Sequence, residues 1–213
     1  MKEDDIRFIK LLILVCGLVP LALLVWDQSH NRLGANPQNF LILTTGMMTL
    51  IFLMLTMAVT PLRKITGLNW LIQFRRMLGL FAFFYGCLHF LCFFSLDRAF
   101  SITSTLTEMT KRKYLILGST ALIAMIPLAI TSTNGMIKRL GGKRWRVLHR
   151  LAYVAAMAGV IHYYMQVKAD TRQPLVFAAV LAVLLGYRLL NYLQQRKPKT
   201  AMSAIQKSGP GTS

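Results

Sequence analysis

Imidazole is the side chain in this sequence best suited to chemistry, and there are four: His30, His89, His149 and His162. His89, His149 and His162 lie in or at the edge of apolar segments. A polar, metal-binding side chain inside a membrane-length segment is costly to bury and is by default a candidate functional group. His149 and His162 bracket one such segment, which holds no acidic residue and no proline. Thirteen residues of helix at about 1.5 Å each set the two rings about 20 Å apart along the axis. That is a large share of a hydrocarbon core about 30 Å thick. His30 stands beside Asn31 and Arg32 and reads as a solvated side chain.

The elements that must carry these rings are helices in a bilayer. Of the 213 residues, 55% are hydrophobic and 15% charged, against about 25% charged in ordinary soluble domains. Six apolar stretches have spanning length: 8–26, 40–60, 75–96, 114–131, 146–165 and 174–193. Their length and lack of strict alternation exclude a transmembrane β-barrel. The expected fold is therefore all-α, a polytopic bundle of six transmembrane helices over residues 1–196. A polar tail follows at 197–213, rich in Lys, Ser, Gly and Pro and expected to be disordered. Pro20 and Pro127 fall inside spans and are expected to kink them, whereas Pro61 and Pro174 mark span ends. No internal repeat is apparent.

The net charge of +18 raises nucleic-acid binding, but the basic residues sit between apolar spans, not in a soluble module. They read instead as topology signals. With the N-terminus inside, 18 of the 25 Lys and Arg fall on the cytoplasmic side and 7 outside. That bias expects both termini in the cytoplasm. The 97–113 loop, with Lys111, Arg112 and Lys113, is the one basic outer piece; the cluster either docks an acidic partner surface or is solvated. Cys16, Cys87 and Cys92 lie in apolar runs and read as packing. No C-x-x-C-H occurs, which excludes covalent c-type haem, and no nucleotide-binding fingerprint is present.

In the six-span topology, spans three and five run the same way. His89 lies 14 residues beyond Arg75 and His162 lies 16 beyond Arg146, a depth difference of about 3 Å. Two imidazoles at one depth on neighbouring helices suit the axial positions of a haem iron, and filling both leaves no site for oxygen. The bland alternative is interhelical hydrogen bonding. His149 lies near the cytoplasmic end of span five, where span three offers Arg76. Arginine stays protonated and is a poor metal ligand. Arg75 and Arg76 are instead candidate partners for haem propionates. Thirteen residues on a straight helix would turn His149 and His162 to different faces, so the reading expects tilted haems or a distortion near Gly159.

TPLRKITG at 60–67, FRRMLGL at 74–80, the YGCLHF containing His89, TSTNGMIKRLGGKRWRVLHRLAY at 131–153 and VIHYY at 160–164 carry a family resemblance. Over roughly residues 40–192 the chain resembles the haem-binding membrane subunits of bacterial methionine sulfoxide reductase systems (the YedZ type), within the ferric-reductase-like transmembrane superfamily. The resemblance implies an inner-membrane protein with one or two b-type haems on His89, His149 and His162. It implies electrons taken from the quinone pool or a cytoplasmic flavin reductase. They would pass to a periplasmic molybdenum-cofactor subunit that repairs methionine sulfoxide in envelope proteins. Flavin mononucleotide is a further implied cofactor. A stand-alone transmembrane ferric or cupric reductase is the alternative.

Overall fold

A long apolar run in lipid leaves backbone N–H and C=O groups no partner but each other, and helix is the outcome. The structure, a computed structural model, describes residues 2–167 and 169–196; the tail expected to be disordered, 197–213, lies outside the described residues. Among the described residues nine α-helices follow in order: α1 Glu3–Ser29, α2 Pro37–Thr66, α3 Arg75–Cys92, α4 Ile102–Lys111, α5 Lys113–Ile130, α6 Asn134–Leu140, α7 Gly142–Leu148, α8 Leu151–Gln166 and α9 Arg172–Arg196. A 3-10 turn, Asn69–Gln73, leads into α3, and a wider π turn, Phe93–Asp97, follows it. The protein is all-α and polytopic. Among the described residues five helices, α1, α2, α3 with its flanking turns, α5 and α9, are long and apolar enough to cross a membrane.

Three expectations change. The segment expected as one span over 146–165 is two helices, α7 and α8, which part at His149 and Arg150. The 16 residues of α8 are about 24 Å long. Pro61 does not end a span, since α2 runs through it to Thr66, where Gly67 closes the helix at φ 73°. The 97–113 connection is not an open loop but carries α4, capped by the Ser101 hydroxyl. Arg98 pairs there with Asp97 at 2.5 Å and with Glu108 at 3.4 Å.

Two helical hairpins form the centre. α2 packs along α3, α5 packs along α8, and α9 lies against α2 and α8. Leu50, Leu53, Met57, Tyr85, Ala155 and Ala156 fill the shared core. α1 is peripheral, burying only Gly17 and Leu24. Its anchor is the buried Tyr85 hydroxyl, which donates to the Gly17 carbonyl at 2.7 Å.

The hairpins share one plan, an internal repeat that residue identity hides. In each, a glycine with positive φ, Gly67 at 73° or Gly141 at 75°, closes the helical segment ahead of the turn. α2 ends at Gly67 directly, whereas α6 intervenes between α5 and Gly141. A short helical piece follows, and then the histidine-bearing helix. Glycine alone reaches that left-handed region without strain.

Candidate functional site

His89 sits near the C-terminus of α3 and His162 near the C-terminus of α8. The Nδ1 of His89 lies 2.8 Å from the carbonyl of Ile42, near the start of α2. The Nδ1 of His162 lies 2.7 Å from the carbonyl of Tyr114, at the start of α5. The two bonds span 47 and 48 residues, the repeat in its most telling form. α3 and α8 therefore run in the same direction, as the depth argument requires.

A carbonyl only accepts, so each Nδ1 carries the hydrogen and donates it. The neutral ring then presents its Nε2 lone pair, the usual preparation of a metal-binding histidine. The ring centroids lie 6.1 Å apart, edge to face, with the planes at 81°. A metal–imidazole bond of about 2 Å, plus about 1.1 Å from nitrogen to ring centre on each side, brings two rings on one ion to about 6 Å. The spacing and the free nitrogens both fit one iron held from two sides. Among the described residues no three His, Cys, Asp or Glu side chains converge, so the site is a two-imidazole site and not a closed tetrahedral one.

Glycine makes room for both rings. A Cβ on Gly46 would meet the His89 ring at 3.0 Å, and one on Gly118 would meet His162 Nδ1 at 2.8 Å. Each glycine lies one helical turn beyond the carbonyl its histidine uses. These glycines and the Ile42 and Tyr114 carbonyls are functional elements that sequence reading missed. The available signal was a glycine at a matching place in each apolar span ahead of its histidine.

His149 is apart from this pair. It follows α7, with its Nδ1 3.1 Å from the carbonyl of Trp145 and its ring stacked on Trp145 at 3.8 Å. Because α7 and α8 part here, the rule of faces on one straight helix does not connect His149 to His162. The distortion expected near Gly159 lies at His149–Arg150 instead, and α8 runs unbroken through Gly159. Arg75 and Arg76 lie within electrostatic reach of His149. Arg76 donates to the Asn134 side chain and the Ser132 carbonyl. Trp145 Nε1 donates to the Thr131 carbonyl at 2.9 Å. The TSTN segment, 131–134, is thus a joint tied by Arg76 from α3 and Trp145 from α7. His30 is exposed and stacks on Trp26 at 4.2 Å. At the opposite end, Arg112 pairs with Glu108 and bonds the Tyr114 hydroxyl at 3.1 Å, so it belongs to the α4 network.

Fold and site together define an all-α polytopic membrane protein with two imidazoles side by side near one end of its bundle. A family model described as ferric reductase like transmembrane component matches residues 42–160, more than half of the chain. The chain is 46% identical to the protein-methionine-sulfoxide reductase heme-binding subunit MsrQ of Herminiimonas arsenicoxydans, covering 95% of this chain and 94% of that one. It is 47% identical to the MsrQ subunit of Ralstonia nicotianae, over 89% and 88% of the two chains. With the MsrQ subunit of Rhodospirillum rubrum it shares 43% identity over 95% and 97%. The chain belongs to the MsrQ family of ferric-reductase-like transmembrane proteins. No solved structure matches it.

Proposed function

We propose that this chain is the haem-binding, electron-carrying membrane subunit of a protein-methionine-sulfoxide reductase. The observation that carries the reading is the close pair His89 and His162, each with Nδ1 tied to a backbone carbonyl and with ring centroids 6.1 Å apart. Haem b, when bound, supplies a one-electron iron couple. The chain's own residues do the rest. His89 on α3 and His162 on α8 would hold the haem. The surrounding apolar helices exclude water. His149, Arg75 and Arg76 form the basic approach at the other end, where they hold haem propionates or a second haem.

The positive-inside rule supports a cytoplasmic position, in an inner-membrane protein, for the basic end with Arg63, Lys64, Arg75 and Arg76. Electrons enter there, from the quinone pool or a flavin reductase, with flavin mononucleotide as a second cofactor. They leave at the opposite end, beside α4, to a periplasmic molybdenum-cofactor subunit that reduces methionine sulfoxide. The matched names of the relatives support this assembly over a stand-alone ferric or cupric reductase.

The test is an absorption spectrum with pyridine haemochrome quantification on purified protein from haem-sufficient cells. A low-spin b-type spectrum, lost in both His89→Ala and His162→Ala, is the expected result. Protein without haem, or an unchanged low-spin spectrum in both variants, refutes the reading.

A further inference from the structure

A pocket of about 140 Å³ opens between α2 and α9, lined by Thr60, Lys64, Tyr187, Arg188, Asn191 and Tyr192. It is several times the liquid volume of one water, about 30 Å³. Thr60 lies six residues before the end of α2, about 9 Å inside the basic end. Lys64 and Arg188 bring two cations to it, and none of its lining residues is acidic. The chain has seven carboxylates: Glu3, Asp4, Asp5, Asp27, Asp97, Glu108 and Asp170. Among the described residues the ion pairs involve Arg7, Arg98, Arg112 and Arg172 only.

The donors at this pocket are incompletely used. Arg188 gives one terminal nitrogen to the Tyr153 hydroxyl at 2.5 Å and the other to the Met57 carbonyl at 2.6 Å. Its Nε is buried without a partner, and so is the Thr60 hydroxyl oxygen. Lys64 has only a long contact, 3.4 Å to Asn191 Oδ1. Buried polar atoms are nearly always hydrogen-bonded, and an orphaned pair in one place calls for a ligand or water. An uncompensated arginine near the membrane interface calls for an anion.

We infer that the α2–α9 pocket binds a phosphate group, held by Lys64 and Arg188 with Thr60 as hydroxyl donor. Phosphate oxygens accept several charge-assisted hydrogen bonds at once, and basic pockets between transmembrane helices near the cytoplasmic face suit phospholipid head groups. A lipid head group and a soluble phosphate present the same chemistry, and the experiment separates them.

The full chain is placed in nanodiscs of phosphatidylcholine with or without phosphatidylglycerol, and in detergent with or without inorganic phosphate. Thermal unfolding is followed by tryptophan fluorescence, and retained lipid is counted by native mass spectrometry. Phosphatidylglycerol raises the unfolding midpoint by about 4 °C over phosphatidylcholine, with one molecule retained per chain. Lys64→Gln and Thr60→Val each lose most of that rise and the retained lipid. Arg188 is left in place because it also ties α9 to α2 and α8. A rise with inorganic phosphate alone, lost in the same variants, keeps the phosphate pocket and assigns it a soluble ligand. Unfolding that ignores both anions, or variants that respond like the parent, overturns the inference. If Lys64→Gln does not fold, Thr60→Val decides alone.

Discussion

At one end of the bundle, α3 and α8 bring their imidazoles side by side, oriented by the same kind of contact from α2 and α5. At the other end the hairpins diverge: α3 begins with Arg75 and Arg76, whereas the lead-in to α8 offers His149 stacked on Trp145. A guanidinium keeps its proton and cannot answer an imidazole across a metal. The duplicated plan therefore yields one paired site and one single-imidazole site. Pairing fits the haem site proposed above; a lone histidine among arginines fits the proposed approach for anionic groups.

The comparison breaks most completely at the paired rings. His89→Ala and His162→Ala are each expected to abolish the low-spin haem spectrum, because in the proposed site each would supply one of the two imidazoles that hold the haem. Next come the glycines. Gly118→Ala pushes on His162 from 2.8 Å and Gly46→Ala on His89 from 3.0 Å. Haem retention after dialysis falls in both, within the roughly 10–100-fold range of lost second-shell support, and Gly118→Ala is the more severe. Equal retention in parent and both variants would show that the rings have slack. His149→Ala sharpens the contrast from the other side. The paired spectrum stays, while stopped-flow reduction from the basic end slows several-fold. Loss of all haem in this variant would merge the two ends into one site. Tyr85→Phe is the smallest change. Removing the bond to the Gly17 carbonyl costs about 1 kcal/mol, a fall of about 2–4 °C in the melting midpoint, with the haem spectrum unaltered.

Much of this could be read from the residues. Hydropathy located the long apolar helices α1, α2, α3, α5 and α9, with ends up to six residues off at α1 and α2, and rise per residue brought His89 and His162 to one depth. The break at His149–Arg150 could not be read, because nothing in KRWRVLHRLAY forbids a continuous helix: it has no proline and only good or neutral helix formers. The break follows from tertiary ties, with Trp145 bonded to Thr131 and α6 and α7 folded around the TSTN joint. The repeat escaped for a different reason. Ile42 and Tyr114 occupy equivalent places through their carbonyls, and Arg76 and His149 share a register but no chemistry. Gly46 and Gly118 were visible as letters, but not as the floor beneath a ring, since that contact needs the partner helix in position.

The acceptors that orient both imidazoles belong to the main chain, and this limits how the centre can drift. Each residue type carries the same oxygen there, so no exchange at positions 42 or 114 deletes it. Adjusting the basicity of either ring requires sliding or tilting a whole rod of α2 or α5. The electronic character of the centre is thereby vested in the placement of two helices, safe from single-letter change and sensitive to whatever shifts those helices in the bilayer.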